Sequence, residues 1–279
     1  MDEIEILRMQ QGMKHRSVKN ISIAYKDVGK GSIPIIFIHG FPFDSSTWDE
    51  QLQFLEATHR AIAYDIRGYG NSTTDHAEVS IDLYADDLIT FMDALAIDKA
   101  VVCGLSMGGY ILLNALKRYP SRFTAIVLSD TQCIADEEET KQHRAATIVK
   151  IKADGLTEFA NNFIKTAFHP QTLISNPALV EKTKAIILNQ NIKTVCDGLN
   201  AIAQRNETCS MLEDIKIPTL VICGNHDKVT LPIQSRYLKN TIKHSTLHFI
   251  EDASHLSNLE HPTVFNNLIL RFLKSTILA

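Results

Sequence analysis

Three features of the sequence predict an α/β fold, in which a mostly parallel sheet is covered by helices on both faces and interrupted by a helical insertion. Short apolar runs rich in β-branched residues recur, as in IPIIFIHG (33–40), AIAYDI (61–66), KAVVCG (99–104), FTAIVLSD (123–130), IPTLVICG (217–224) and STLHFI (245–250). Helical patterns separate the first four of these runs, and strands that lack polar alternation are buried on both faces, as in a parallel sheet flanked by helices. Across residues 131–215 the alternation gives way to mainly helical pattern, after which the sheet pattern resumes.

In chain order, residues 14–29 read as a short β-rich pair broken at Asn20, and GKGS turns the chain into the first buried run. STWDEQLQFLEATH is expected to be a helix with Thr47 and Glu50 at capping-box spacing. SIDLYADDLITFMDAL places Ile81, Tyr84, Leu88, Met92 and Leu95 on one helical face. Within the insertion, TKQHRAATIVKIKADG, LTEFANNFIKTAF, PALVEKTKAIILNQ and TVCDGLNAIAQ carry helical spacing, and the acidic run at 136–139 reads as a solvated helix start favoured by the helix dipole. The last helix, PTVFNNLILRFLKSTIL, opens with Pro262 at a favoured first-turn position. This gives a core domain of residues 13–130 and 216–279, an inserted helical cap of 131–215, and an N-terminal extension of 1–12.

Composition narrows the function. The 279 residues are 45% hydrophobic and 22% charged, which suits a chain burying one large core rather than a disordered or fibrous one. A formal net charge of −4, with basic residues scattered, gives no nucleic-acid footprint, so a small molecule is the expected partner. The acidic opening lacks an apolar signal region and no run of about 18 apolar residues occurs, so no membrane span is expected and the expected compartment is the cytoplasm. The five cysteines, Cys103, Cys133, Cys196, Cys209 and Cys223, never form C-x-x-C and read as reduced packing residues rather than metal ligands.

The chemistry centres on GLSMGG (104–109), a serine among glycines between a buried strand and a helix. Glycine costs backbone entropy and is kept where a side chain would clash, so a turn this tight lifts Ser106 into the open. In an open parallel sheet the loops at the carboxyl ends of the strands converge on one crevice. Here those loops are HGFPFDSS, GLSMGG, GNHDKVT and EDASHLSNLEHP. An unactivated serine hydroxyl needs a base within hydrogen-bond reach and an acid to orient that base, and Ser106, His255 and Asp227 can fill these roles. Asp130, at the tip of the strand FTAIVLSD, could also reach a histidine.

The strand–serine–helix turn, with the order serine, aspartate, histidine, strongly resembles the α/β-hydrolase superfamily over nearly the whole chain from about Met13. The resemblance implies an α/β-hydrolase fold with a helical cap and assigns Ser106, Asp227 and His255 as catalytic. GNHDKVT resembles the usual acid loop, which favours Asp227 and leaves Asp130 to brace the cap junction. The backbone N–H groups of Met107 and, after HG, Phe41 are implied as the oxyanion hole. Asp65 and Arg67 in DIRGYGNS, and His39, are expected to brace loops. No metal or organic cofactor is required.

GLSMGGY and SHLSNLEHPTVFN look most like the 3-oxoadipate enol-lactonase and small-esterase branch, which implies hydrolysis of a small or medium carboxylic ester or lactone. HGFPFDSSTW is closer to epoxide hydrolases, and Ser254 stands where glycine is common; an epoxide hydrolase would use an aspartate nucleophile, which a serine at 106 excludes. A cofactor-free perhydrolase or haloperoxidase, or a C–C bond hydrolase, could use the same three residues. A ligand receptor with little turnover is the reading from a different class.

Overall fold

The β-branched runs form eight strands in one sheet: β1 (Lys14–Val18), β2 (Ile21–Val28), β3 (Ile35–Ile38), β4 (Ala61–Tyr64), β5 (Ala100–Leu105), β6 (Phe123–Ser129), β7 (Thr219–Gly224) and β8 (Ser245–Ile250). The structure is a computed structural model that describes residues 12–75 and 77–277. Residues 1–11 of the expected N-terminal extension therefore lie outside the described residues.

The spatial order is β1-β2-β4-β3-β5-β6-β7-β8. β2 pairs antiparallel with both β1 and β4, and the remaining pairs are parallel. Because β3 lies between β4 and β5, the chain winds outward from β3 in both directions. The carboxyl ends of β3 and β5 flank this switch point, where an open α/β sheet presents its crevice.

Alternate residues of the buried strands feed two cores. Ile36, Ile38 and Val102 face one, which also takes Tyr84, Leu88 and Met92 of helix α2 (Ile81–Ala94) and Ile111 and Leu112 of α3 (Met107–Arg118). Ile35, Phe37, Val101 and Cys103 face the other, with Leu52 and Leu55 of α1 (Asp49–Leu55). The period of two along each strand is what splits one apolar run between two helical layers. The α2 stripe forms as expected, with the Ser80 side chain accepting from Leu83 N at 3.0 Å, while Leu95 sits at the C-terminal cap.

The helix expected at 46–59 is shorter and is capped differently. The chain enters by a 3₁₀ turn at Ser45–Trp48, where the Asp44 carboxylate accepts from Ser46 N at 2.9 Å. Thr47 instead donates its hydroxyl to Asp44 O at 2.8 Å, so no capping box forms with Glu50. Asp44, three residues upstream, has taken the capping place that the spacing assigned to Thr47.

Between β6 and β7 the chain is helical: α4 (Glu138–Asp154), α5 (Thr157–Ala167), α6 (Pro170–Ser175), α7 (Pro177–Leu188) and α8 (Ile192–Ala203), then a 3₁₀ turn at Cys209–Asp214. The short α6 and the later α9 (Pro232–Thr241) and α10 (Ser257–Glu260) were not among the expected helices, whereas α11 (Pro262–Ile277) was. The acidic run is not a solvated helix start throughout. Asp136 is buried and accepts from Arg144 Nε at 2.5 Å and Arg205 Nη1 at 2.7 Å. Burial alone would raise its pKa, but the two guanidinium groups outweigh it and hold the carboxyl below its usual range.

The cysteines also depart from expectation. Cys103, Cys196 and Cys223 are free and buried, but Cys133 and Cys209 form a disulfide, Cα atoms 4.9 Å apart, across 76 positions of sequence. It ties the segment just after β6 to the 3₁₀ turn leading to β7, beside a backbone bond from Thr208 N to Cys133 O of 2.8 Å. Sequence spacing could not reveal this pair, because the intervening helices fold back to bring its ends together. Thiol titration of the denatured protein should count three free thiols without reductant and five with it. Five thiols in a sample purified under oxidising conditions would contradict the pairing.

Candidate active site

Ser106 occupies the single residue between β5 and α3, with φ 53° and ψ −115°. A left-handed backbone at a non-glycine residue is costly and persists only when its surroundings impose it. The surroundings here are tight. A Cβ at Gly104 would stand 2.3 Å from Gly108 O, and one at Gly108 would stand 2.4 Å from Ile38 O, so strand, helix and the β3 tip approach as only glycine permits. Ser106 N donates to Ser129 O at 3.0 Å and Ser106 O accepts from Thr131 Oγ1 at 2.8 Å, which pins the turn to the end of β6.

Met107 opens α3, so its N–H has no intrahelical acceptor. Phe41 lies in the turn after β3, and a Cβ on the preceding Gly40 would be 3.4 Å from Ser106 Cβ, which sets that turn alongside the serine. Neither amide donates to a protein acceptor among the described residues.

Asp227 and His255 come from the loops after β7 and β8, and the structure joins them: His255 Nδ1 bonds Asp227 Oδ2 at 2.9 Å. Asp227 Oδ1 accepts from Val229 N at 2.7 Å, and Oδ2 also accepts from Thr230 Oγ1 at 2.7 Å. Burial opposes charge on both partners. It is outweighed by their mutual attraction and hydrogen bonds, so Asp227 lies below the usual carboxylate pKa and His255 above the usual histidine value. With Nδ1 directed at the carboxylate, Nε2 is the free ring nitrogen; it is buried and has no partner among the described residues. No Ser106–His255 hydrogen bond is present among the described residues: Asp227 and His255 are joined, and Ser106 stands on a separate loop at the same end of the sheet.

Asp130 is buried at the end of β6 and bonds Gly224 N at 2.8 Å, Ser257 Oγ at 2.6 Å and Ser129 Oγ at 2.9 Å. Its carboxylate thereby braces the end of β7 and the segment after β8, and not the cap junction expected of it. Burial, reinforced by the charge of Asp227, pushes its pKa up to about 7. Asp130, Cys223 and Asp227 each offer a ligand atom within 4.8 Å of the other two, but both carboxylates are committed to hydrogen bonds and burial pushes the Cys223 thiol up.

The bracing expected of the other polar residues is visible atom by atom. His39 Nε2 accepts from Ile66 N at 3.0 Å, which leaves Nδ1–H to donate to Gly40 O at 2.9 Å. That arrangement requires a neutral ring, and burial lowers the His39 pKa to about 4. Asp65 accepts from Ser45 N at 2.8 Å and Asn71 N at 2.7 Å, while Arg67 bonds both oxygens of Asp87.

Sequence reading missed Glu260. Its carboxylate accepts from Ser254 N at 2.6 Å, His169 N at 2.8 Å and Thr172 Oγ1 at 2.6 Å, clamping the insertion to the loop of His255. His255 N also donates to Ala167 O at 3.0 Å, so the end of α5 directly supports the histidine backbone. A glutamate two residues before Pro262 carried a signal only as a helix-flanking charge. Phe159 and Phe163 of α5 were missed as well. They meet the Phe41 ring edge-on at centroid distances of 6.1 and 6.5 Å and line a groove of about 360 Å³ that reaches Val229 of the acid loop.

With this geometry in place, likeness to known proteins bears on the whole chain. It is 30% identical over 259 residues to 3-oxoadipate enol-lactonase 2 of Acinetobacter baylyi, covering 92% of this chain and 95% of that protein. It is 27% identical over 272 residues to a bifunctional esterase/perhydrolase of Acinetobacter calcoaceticus, covering 91% and 97%. Among solved structures, a thermophilic esterase from Thermogutta terrifontis superposes with a TM-score of 0.90 at 28% identity, covering 95% of this chain and 98% of the esterase. The alpha/beta hydrolase fold family matches residues 33–262, and together with the sheet order and the serine turn this establishes that the chain belongs to that family.

Proposed function

We propose that the protein is a serine hydrolase that cleaves a small or medium carboxylic ester or lactone through an acyl-enzyme. Ser106 is the nucleophile, His255 the general base and acid, Asp227 the orienting acid, and Phe41 and Met107 supply the oxyanion N–H groups. The observation that carries this reading is the buried His255–Asp227 bond, which leaves Nε2 as the free ring nitrogen, on a loop at the same end of the sheet as Ser106. Catalytic hydrogen bonds are often open in the free enzyme and tighten when substrate binds, so the unmade serine bond is compatible with it. The names of the enol-lactonase and esterase relatives support the substrate class.

In the proposed reaction, Ser106 Oγ attacks the carbonyl carbon as His255 Nε2 takes its proton. The two amides stabilise the oxyanion, and the imidazolium then protonates the leaving alkoxide. Water repeats the attack on the acyl-enzyme with the same imidazole as base. The insertion of 131–215 acts as the cap, and the groove beside Phe159 and Phe163 takes the apolar part of the substrate. A second reading, perhydrolysis, replaces water by hydrogen peroxide in the deacylation step and is supported by the esterase/perhydrolase relative.

Two substitutions separate the acids. Asparagine presents N–H donors and favours the wrong imidazole tautomer, a change that costs about 10⁴ in turnover in a serine protease. Asp227→Asn should therefore remove most ester hydrolysis, whereas Asp130→Asn should stay within about tenfold of the parent, measured with p-nitrophenyl acetate on variants matched for folding. The reverse ranking would move the acid to β6.

The pH dependence follows from the raised pKa of His255. A general base acts only when neutral, so kcat/KM should fall as pH drops through a midpoint above the usual 6.5. Because Asp130 is pushed up to about 7, the same profile is measured in Asp130→Asn, where the acid limb should persist. A flat rate between about pH 5 and pH 8 in the parent, or loss of the limb in that variant, would contradict a histidine base.

A further inference from the structure

We propose that His169, His226 and Asp252 form a binding site for a divalent transition-metal ion, zinc above all, where the insertion meets the loops carrying Asp227 and His255. Each residue offers one ligand atom, and the three atoms lie within 4.8 Å of one another. They come from three segments: His169 directly precedes α6, His226 directly precedes Asp227, and Asp252 stands three residues before His255. The two imidazole rings are neighbours, with centroids 4.7 Å apart and planes tilted by 60°.

The backbones are fixed while the side chains remain available. His169 N donates to Glu260 Oε2 at 2.8 Å, His226 N to Ala253 O at 2.9 Å, and Asp252 O accepts from His261 Nε2 at 3.2 Å. His226 and Asp252 are exposed, and the His226 ring makes no hydrogen bond to protein among the described residues. Two imidazoles and a carboxylate are a borderline-soft donor set that suits zinc, with solvent completing a tetrahedron. Ligand atoms around tetrahedral zinc lie about 3.3 Å apart, so the side chains need close by no more than about 1.5 Å, which side-chain rotation at the exposed His226 and Asp252 permits. His169 Nδ1 now accepts from Gln171 N at 3.2 Å, and ligation by this ring replaces that long bond.

A bound ion would link the segment after α5 to both loops of the proposed acid and base. It would thus hold the insertion against the core at the place where Glu260 and Ala167 already do so.

The test uses the full chain, freed of metal with a chelator, titrated with zinc chloride by calorimetry and by thermal unfolding. One saturable site should appear and should raise the unfolding temperature. Its affinity should fall by at least about tenfold in each of His169→Gln, His226→Gln and Asp252→Asn, and should not change in His248→Gln on the exposed face of β8. Circular dichroism checks that each variant is folded, and His226→Gln, at an exposed side chain, keeps the test decisive if His169→Gln is not. Absence of saturable binding, binding that survives all three substitutions, or binding lost only in Cys223→Ser would each overturn the proposal. The last result would place the ion at the buried set instead.

Discussion

Burying a carboxylate beside an imidazole costs several kcal/mol in lost hydration unless the two are paired and their remaining polar atoms are satisfied. Asp227 and His255 meet that requirement on every side but one. Val229 N and Thr230 Oγ1 satisfy the carboxylate, Ala167 O takes the histidine N–H, and Glu260 fixes the neighbouring Ser254 N. The side left open is His255 Nε2. The loops after β7 and β8, the end of α5 and the α10 glutamate are therefore all committed to one buried bond of 2.9 Å. Asp130 adds a further condition: burial, reinforced by the charge of Asp227, disfavours its own charge, so that Asp227 is the dominant anion of the two below about pH 7.

The serine turn rests on a different constraint, steric rather than electrostatic. Gly104 and Gly108 let β5, α3 and the tip of β3 approach to distances that a side chain would forbid, and this closeness holds Ser106 in its left-handed conformation. The sheet order then places the loops of β3 and β5 on either side of the switch point. One end of the sheet thus carries Ser106, two amides without a protein acceptor among the described residues, and the Asp227–His255 pair.

Much of this was legible in the residues because it is local. Buried runs announced the strands, the Ile81–Met92 stripe announced α2, and the glycine spacing announced the turn at Ser106. Features that depend on distant partners were not legible. Cys133 and Cys209 looked like packing residues until the helices between them folded back, and Asp136 looked solvated until Arg205, 69 residues away, was found beside it. Glu260 carried no distinguishing pattern, although its carboxylate clamps the segment of His169 and Thr172 to the loop of His255. The capping error at Thr47 was local and arose because Asp44 offers a competing acceptor. The two ends of the insertion are thus tied to each other by a disulfide at its base, and the insertion is held to the core by hydrogen bonds at the histidine loop.

The central claim is that Ser106 is the nucleophile. The most direct measurement treats the folded protein with a serine-directed phosphonate and locates the adduct by peptide mass spectrometry. A single adduct on Ser106, formed in step with loss of esterase activity and absent from Ser106→Ala, is the result the account predicts. An adduct on another residue accompanying that loss, or an inactivated protein whose Ser106 peptide remains unmodified, would contradict it.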